Sequence, residues 1–268
     1  MKVLFPADYF RASQPDELYA EQATAFARLG FGVSTFAFEG NRQFRPPLEP
    51  GDLVLYRGWM LDAAEYGALG DAVQAAGGQL FTSTCAYLNA HHLPRWAPLL
   101  PDLTSETACF HDLSAVEDGL RALGWERFFI KDFVKSLKTG GGSVIERPEQ
   151  IGALMRDMEQ FRGKIEGGIC ARRFEEFRPG TERRYFVLDG GAVSPDGSPP
   201  PRIVLDCAGR ISSRFFSVDV AERADGQLRI VEIGDGQVSD LVGWSVPSFA
   251  ALWAGRALQM VSTPEDSL

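Results

Sequence analysis

The sequence has few of the residues that build metal clusters and nucleophilic sites. Its 268 residues include only 3 histidines and 4 cysteines, with no CxxC pair and no Cys/His cluster. Structural zinc sites are built from such clusters, so the sequence predicts none. A Ser/His/Asp nucleophile elbow is absent too. Any chemistry must therefore come from lysine, arginine, carboxylate and backbone groups.

Long apolar segments and an excess of positive charge are also missing. No run of about 18 apolar residues exists, and Pro6 interrupts the N-terminal segment too early for a signal peptide. The formal charge of −9 disfavours nucleic-acid binding. Cys85, Cys170 and Cys207 lie in largely apolar or small-residue runs, which is typical of buried thiols in a reducing compartment. We therefore expect a cytoplasmic protein with no membrane and no nucleic-acid partner.

The N-terminal third alternates between strand and helix patterns. Apolar runs at 2–5 and 33–38 flank a helical pattern over 16–29, and this order predicts a parallel sheet. Beyond residue 168, short apolar runs are mostly separated by Gly, Pro or Asp turns. The strand candidates there are 169–174, 184–188, 191–194, 203–206, 216–221 and 228–233. The predicted fold class is α/β (α+β).

One apolar strand that ends in lysine is the most informative segment. It leads from Phe128 to Lys131, and further lysines and a glycine-rich turn at 139–143 follow. Amines together with free backbone N–H groups suit a polyphosphate. The order is neither a Walker A motif nor GxGxxG. The predicted phosphate contacts are Lys131, Lys135, Lys138, Gly141, Gly142 and Ser143; ordinary solvated lysines are the alternative.

Two carboxylates lie on neighbouring strand patterns near the end of the chain. Asp219 and Glu232 each alternate with apolar neighbours, so each carboxylate lies on the strand face opposite those neighbours. A hairpin about the turn at 225–227 would bring both acids to one cleft. Hard oxygen ligands beside phosphates suit Mg²⁺. An ordinary exposed strand face is the alternative.

A connector between two strand patterns carries the remaining nucleotide candidates. The backbone of Arg173 and Phe174, with the carboxylate of Glu175, suits an adenine amino group. Glu182 suits ribose hydroxyls, and Arg184 suits bidentate binding of a phosphate or a substrate carboxylate. Each of these is equally typical of an ordinary surface residue.

Arg57 and Trp59 directly follow the strand pattern at 53–56. Ligands of open parallel sheets bind at the carboxyl ends of the strands, so we predict that both residues contact substrate. The alternative is a packing point between domains, because tryptophan buries a large area.

The order of these parts resembles the ATP-grasp superfamily, and most closely its R2K clade. The segments that carry the resemblance are Tyr56-Arg57-Gly58-Trp59, the lysine segment 129–136, Glu182-Arg183-Arg184-Tyr185-Phe186-Val187 and Val231-Glu232-Ile233-Gly234-Asp235-Gly236-Gln237. The resemblance extends over about residues 2–255. It implies an ATP-grasp fold with a pre-ATP-grasp α/β domain (1–92), a lid subdomain (93–166) and a C-terminal subdomain (167–268). The two α+β subdomains would sandwich the nucleotide.

The resemblance also implies roles for individual residues. Lys131 corresponds to the phosphate-binding lysine of the lid strand, Glu175 to the acid beside adenine and Glu182 to the acid beside ribose. Asp219 and Glu232 correspond to the Mg²⁺ ligands.

At two places the sequence departs from the family pattern. Gly234 stands where the family has asparagine, so either Asp235 replaces that ligand or the site has one ligand fewer. The earlier phosphate lysine has no counterpart, and Arg95 is the nearest cation.

The function implied is an ATP- and Mg²⁺-dependent carboxylate–amine ligase that forms an acyl phosphate, with peptide formation as one version. Lys131, Lys138 and Arg184 would act in catalysis. The expected partners are a small carboxylate and a small amine, with amino acids or a peptide among the candidates, and the resemblance is compatible with a homodimer. A phosphotransferase and a non-catalytic nucleotide-binding module are the alternatives.

Overall fold

The computed structural model describes residues 1–39, 42–137 and 142–255, apart from the side chain of Arg162. These residues form three sheets flanked by helices. The helices are α1 (Ala20–Arg28), α2 (Ala63–Ala75), α3 (Thr84–His91), α4 (Leu93–Trp96), α5 (Val116–Leu123), α6 (Ile151–Arg162), α7 (Arg202–Ala208) and α8 (Val246–Ala251). No helix in the described ranges is both long and apolar enough to cross a membrane.

The N-terminal sheet has the strand order β3-β2-β1-β4-β5. Its strands are β1 (Lys2–Pro6), β2 (Gly32–Phe36), β3 (Phe44–Arg45), β4 (Leu53–Tyr56) and β5 (Gln79–Leu80). All neighbours pair in parallel except β2 and β3, which confirms the predicted parallel sheet. The strand order reverses between β1 and β4. The loop after β1 and the loop after β4 lie on either side of this point.

The second sheet has the order β6-β9-β7-β8 and is antiparallel. Its strands are β6 (Thr107–Phe110), β7 (Phe128–Asp132), β8 (Val144–Ile145) and β9 (Ile169–Arg173). Apolar side chains of β7 and β9 pack with those of α5 and α6, among them Leu120, Ile130 and Met158. This core holds β7, and with it Lys131, in a fixed position. Strand β9 belongs to this sheet although it lies beyond residue 167.

The third sheet has the order β11-β10-β12-β13 and is also antiparallel. Its strands are β10 (Arg183–Leu188), β11 (Gly191–Val193), β12 (Phe215–Glu222) and β13 (Leu228–Asp235). The pairing of β12 with β13 confirms the predicted hairpin. The N-terminal and third sheets share one apolar core, in which Phe5 and Phe26 lie with Phe215 and Phe249.

The predicted strand at 203–206 is wrong, because these residues belong to α7. A proline run leads into this helix, with Pro201 as its N-cap. Val204 and Cys207 are buried, and this spacing of three residues places both on one face of a helix. An apolar run of four residues does not distinguish strand from helix, so the sequence pattern was ambiguous there.

The cysteine prediction needs correction at two of three positions. Cys170 on β9 lies opposite Cys109 on β6, and the two form a disulfide. Cys85 is exposed. Cys207 is the buried free thiol that was expected, and burial raises its pKa to about 12.

Candidate functional site

Lys131 and Glu232 meet where the second and third sheets face each other. The Lys131 Nζ atom donates a hydrogen bond to Glu232 Oε1 at 3.2 Å, although the two residues are 101 positions apart in the chain. The side chain of Lys131 is only 5% exposed, whereas that of Glu232 is 45% exposed. The lysine is therefore fixed by its surroundings, and the carboxylate remains accessible from solvent.

Arg184, Asp219 and Glu232 form a row across three neighbouring strands. Arg184 on β10 lies opposite Asp219 on β12, which lies opposite Glu232 on β13. Arg184 donates from Nε to Asp219 Oδ1 at 2.7 Å and from Nη2 to Oδ2 at 2.5 Å. This bidentate geometry is the strong form of an arginine–carboxylate pair. Lys131 from the facing sheet extends the row into a cluster of alternating charge.

The pKa values of both Arg184 and Asp219 are shifted in this pair. Burial raises the pKa of Asp219, and the hydrogen bonds and charge of Arg184 only partly offset that effect. Burial alone would lower the pKa of Arg184, but the hydrogen bonds and charge of Asp219 outweigh it and raise the pKa. Arg184 therefore keeps its positive charge inside the cleft.

A cavity of about 810 Å³ opens over this cluster. It lies between the second sheet and the third, and Lys135, Arg184, Glu232 and Gly234 line it. Sequence reasoning missed several polar groups that also line it: His91, Lys164, Glu166, Ser217, Ser239 and Asp240. They come from α3, the segment after α6, β12 and the loop after β13, and no single motif connects these segments.

The turn after β7 is held by the buried carboxylate of Asp132. This carboxylate accepts hydrogen bonds from the backbone N–H groups of Val134 at 2.8 Å, Lys135 at 2.5 Å and Glu166 at 3.1 Å. These contacts direct Lys135 toward the cavity. Asp132 was not among the predicted site residues, although it lies directly after Lys131.

The hydroxyl of Ser143 is hydrogen-bonded within its own loop, and the contact of this residue with phosphate stays a prediction. Its Oγ atom accepts from the N–H of Leu137 at 2.7 Å and donates to the Leu137 carbonyl at 3.0 Å. The side chain is buried and closes the base of the loop. Gly142 has a φ of 75°, a conformation that favours glycine. Lys138 and Gly141 lie outside the described residues.

The four connector residues do not line the cavity. Arg173 pairs with Glu106 at 3.5 Å, and Phe174 stacks under the guanidinium of Arg127. Glu182 is exposed. Their contacts with adenine and ribose stay predictions.

Glu175, the fourth of these residues, is held by three neighbours. It accepts from Ser105 at 3.0 Å, from Arg229 at 3.3 Å and from Arg223 at 3.4 Å. Its carboxylate is therefore fixed in orientation, and its contact with adenine also stays a prediction.

Arg172, the residue before Arg173, joins the two sheets that face each other. Its guanidinium donates to the Val231 carbonyl at 2.5 Å and to the Ile230 carbonyl at 3.2 Å. Burial lowers its pKa to about 10. Because Arg172 lies on β9 beside β7, these bonds help to set the distance between Lys131 and Glu232.

Asp235 does not lie with the other carboxylates, which corrects its prediction as a metal ligand. Side chains alternate along a strand, so Asp235 points to the opposite face of β13 from Glu232. It is fully buried, and its Oδ1 atom accepts from the backbone N–H and the Nε2 of Gln237, each at 3.0 Å. Gln237 in turn donates to Tyr66 Oη at 2.8 Å. Asp235 thus supports the contact between the N-terminal and third sheets.

The buried carboxyl group of Asp235 makes the stability of the fold depend on pH. Burial raises its pKa from 3.8 to about 7. The native state then binds a proton more readily than the unfolded chain, so this group destabilises the fold as pH rises toward 7, by up to about 1.4 kcal/mol per pH unit. Asp235→Asn stays neutral and keeps the acceptor for Gln237. We expect the variant to gain stability relative to the wild type between pH 5 and pH 8.

Urea unfolding at both pH values measures this difference. Asp71→Asn, an exposed aspartate on α2, controls for the change in net charge. A stability difference between Asp235→Asn and the wild type that is the same at pH 5 and pH 8 would contradict the assignment.

The prediction that Arg57 contacts substrate also needs correction, because Arg57 contacts protein rather than an open site. It is only 2% exposed, and its Nη1 donates to the carbonyls of Ser239 at 2.7 Å and Gln237 at 2.9 Å. Its Nε donates to Gln22 Oε1 at 2.7 Å. Burial lowers its pKa to about 10. The alternative interpretation of this segment, a packing point between domains, describes Arg57.

Two other predicted residues, the cation Arg95 and the aromatic Trp59, lie in different surroundings. Arg95 is exposed, donates to Asn89 Oδ1 at 3.1 Å and does not line the cavity; its contact with phosphate stays a prediction. Trp59 lines a separate cavity on the N-terminal sheet.

Gly234 is required by its neighbours. A Cβ atom there would lie 2.9 Å from Ser239 Oγ and 3.0 Å from Ser217 Oγ. These two hydroxyls hydrogen-bond each other at 2.7 Å. The paired serines therefore fill the space that an asparagine side chain would need, and they present oxygen atoms to the cavity instead.

Within the described ranges, no group of three or more His, Cys, Asp or Glu side chains is placed to hold a metal ion. Asp219 and Glu232 are two hard oxygen donors directly opposite each other, which fits the donor chemistry of Mg²⁺ when phosphate oxygens complete the set. The site with one protein ligand fewer is thus the alternative that the geometry favours.

Comparison with known structures identifies the fold. The chain superposes on D-cycloserine synthetase DcsG with a TM-score of 0.64 and 14% identity, covering 96% of this chain and 100% of that one. A RimK domain ATP-grasp protein from Sphaerobacter thermophilus DSM 20745 gives 0.62 and 16%, covering 95% and 98%. The ATP-grasp ligase PsnB, complexed with a phosphomimetic variant of its minimal precursor, Mg and ADP, gives 0.60 and 14%, covering 97% of each chain. These likenesses establish the ATP-grasp fold.

Comparison by sequence identifies the family. No curated protein matches the chain. The family model described as "ATP-grasp domain, R2K clade family 3" matches residues 122–255, which is half of the chain and includes Lys131, Arg184, Asp219 and Glu232. The chain therefore belongs to R2K clade family 3 of the ATP-grasp domain proteins and has the fold of that class of ATP-dependent ligases.

Proposed function

We propose that this protein is an ATP- and Mg²⁺-dependent carboxylate–amine ligase that acts through an acyl phosphate. The observation that carries the proposal is the 3.2 Å contact of Lys131 with Glu232 beside the bidentate Arg184–Asp219 pair, at one cavity of an ATP-grasp fold. PsnB, a structural neighbour, is a ligase complexed with Mg and ADP, which supports the same ligands here.

The charges of the cleft are suited to joining two anions. A triphosphate and a substrate carboxylate repel each other, and Lys131, Lys135 and Arg184 supply the positive charge that offsets this repulsion. Asp219 and Glu232 now accept hydrogen bonds from Arg184 and Lys131. Phosphate oxygens would take over Lys131, the substrate carboxylate would take over Arg184, and both acids would be left to a metal. Asp219 and Glu232 would then hold Mg²⁺, which would supply further positive charge beside the phosphates.

The proposed reaction has two balanced steps. A carboxylate oxygen of the substrate attacks the γ-phosphorus of ATP, the bond to the β-phosphate oxygen breaks, and ADP leaves. An ammonium group first loses one proton to water; the neutral nitrogen then attacks the acyl carbon, the carbon–oxygen bond to phosphate breaks, and the nitrogen gives a second proton to the departing phosphate. We assign the substrate carboxylate to Arg184, because Arg184 lines the cavity together with Asp240, whose carbonyl accepts from its Nη1 at 2.9 Å.

ADP release from Mg-ATP with pooled carboxylates and amines tests the reaction class. We expect release to require a carboxylate and an amine together. ADP formed with a lone acceptor would instead identify a phosphotransferase. Tight ATP binding with no turnover in any pool would identify a non-catalytic module, which the absence of a third carboxylate ligand in the described ranges makes the second candidate.

Glu232→Gln is expected to raise the Mg²⁺ concentration needed for half-maximal ADP release by about tenfold or more. The amide keeps the size of the side chain and an acceptor for Lys131 but removes the charge that a hard cation requires. A Mg²⁺ titration of turnover measures the effect, with Glu21→Gln as the control on an exposed glutamate of α1 outside the cavity. Turnover that reaches the wild-type rate at low Mg²⁺ would refute the role of Glu232.

A further inference from the structure

A second cavity lies at the carboxyl edge of the N-terminal sheet. Its volume is about 730 Å³, and its lining includes Ala7 directly after β1, Ala37 directly after β2 and Trp59 in the loop after β4. In open sheets of this kind, ligands bind outside the carboxyl ends of the strands, where the strand order reverses. Here the order reverses between β1 and β4, the strands that Ala7 and Trp59 follow.

Large aromatic side chains are exposed around this cavity. Tyr9 is 83% exposed, Phe10 is 89% exposed and Trp59 is 39% exposed. The Tyr9 and Phe10 rings lie edge to face with centroids 5.0 Å apart, and Trp59 lies 5.7 Å from Phe38. In typical proteins, each buried aromatic side chain removes about 150–250 Å² of surface from water. A ligand that covers one of these rings would therefore gain a large apolar contact. Exposed aromatic rings grouped in this way are typical of a binding surface.

The charged groups of the cavity are predominantly acidic. Asp8, Asp16, Glu39 and Glu65 line it, against the single cation Arg42 among the described lining residues. Arg11 lies 3.6 Å from Asp8 and offsets part of that charge. The excess of carboxylates disfavours an anionic ligand. The carboxylates favour an ammonium group, and the rings of Tyr9 and Trp59 favour an apolar group on the same ligand.

The two cavities are neighbours, because Leu61 and Glu65 line both of them. Glu65 lies in the first turn of α2, where its Oε2 atom accepts the backbone N–H of Asp62 at 2.8 Å. The capping box therefore fixes a carboxylate at the junction between the aromatic cavity and the cleft that contains Arg184 and Glu232. A molecule bound among the aromatic rings can present one end to that cleft.

We propose that the aromatic cavity binds the amine substrate, and that this substrate is a positively charged amine with an aromatic or branched apolar group. The inference rests on the proposed function, since it assigns the second substrate of that reaction. The apolar group lies against Tyr9 and Trp59, and the ammonium group lies at the Glu65 end. The carboxylate substrate binds instead in the cleft beside Arg184.

Saturation-transfer NMR on the full chain without nucleotide tests the proposal. The probes are L-phenylalaninamide, L-leucinamide and tyramine, with 3-phenylpropanoate as the anion of matched size. We expect at least one amine probe to bind, and the anion to bind at least tenfold more weakly. Trp59→Ala is expected to weaken that amine about tenfold, and Leu205→Ala, an exposed apolar residue that lines neither cavity, is expected to leave it unchanged.

The charge is tested separately with Glu65→Gln. Glutamine can still accept the Asp62 N–H in a capping box, so α2 keeps its N-terminus while the charge is lost. We expect threefold or greater weakening of the amine and no weakening of the anion. The proposal is overturned if no amine probe binds, if the anion binds as well as the amines, or if Trp59→Ala changes nothing. Since no ATP is present, these results are independent of whether Mg-ATP binds or turns over.

Discussion

Replacement of Arg57 by methionine is expected to destabilise the protein by about 3–5 kcal/mol, because a buried cation with satisfied partners leaves several of them unsatisfied when it is removed. Its guanidinium donates to the carbonyls of Gly236, Gln237 and Ser239 and to Gln22, and it lies 4.7 Å from the ring of Phe249. Water cannot replace these hydrogen bonds, because Arg57 is almost fully buried. The N-terminal sheet would lose its main polar connection to the loop after β13.

Equilibrium urea unfolding measures this loss. Arg202→Met is the matched control, since Arg202 is exposed and pairs only with Asp206 of the same helix; such surface pairs contribute at most about 1 kcal/mol. Arg57→Lys is expected to recover little, because an ammonium group cannot reproduce the planar fork that reaches several carbonyls at once. An Arg57→Met variant as stable as the Arg202→Met control would show that the contact between the sheets does not depend on Arg57.

Replacement of Lys131 by methionine is expected to weaken Mg-ATP binding about tenfold to hundredfold while the fold is retained. A hydrogen bond to a charged group contributes about 1.5–3 kcal/mol, and Lys131 is the buried cation of the cleft that reaches Glu232. Methionine fills most of the same apolar space on β7. Glu232 is sufficiently exposed to be solvated without its partner, so the cost in stability is small.

Isothermal titration with Mg-ATP measures the affinity, and urea unfolding of the same sample measures the stability. Lys164→Met removes a cation that lines the cavity and is exposed and paired with Asp62 at 2.7 Å. We expect this control to change affinity less than threefold, because exposed charges are screened. Equal affinities of wild type and Lys131→Met, with both folded, would exclude Lys131 from phosphate binding.

Local pattern was sufficient to predict the parts of the site that lie on regular strands. Period-two alternation placed Asp219 and Glu232 on one face, and a turn signal set the register, so their pairing followed from the sequence. The lysine strand was equally clear. The contact of Lys131 with Glu232 depends on how two sheets pack against each other, which local sequence patterns do not predict. The resemblance to ATP-grasp proteins supplied that step.

Other residues had the right chemistry but a structural partner that the sequence does not reveal. Arg57 and Asp235 lie beside motif positions, yet each is buried between sheets and bonded to Gln237. Ser143 closes its own loop through Leu137. Such roles depend on which elements pack together, and a single sequence cannot distinguish a polar group that binds a ligand from one that satisfies the backbone. The Cys109–Cys170 pair, 61 residues apart, was hidden for the same reason.

The central claim is that Lys131 from one sheet and the acids Asp219 and Glu232 from another hold one Mg-ATP. A crystal structure of the protein with Mn²⁺ and a non-hydrolysable ATP analogue tests this most directly, because the anomalous signal of Mn²⁺ locates the metal independently of the nucleotide. The prediction is a triphosphate in contact with Lys131 and a Mn²⁺ peak at the carboxylate of Glu232. A nucleotide bound at another place, or a metal peak away from both Asp219 and Glu232, would contradict it.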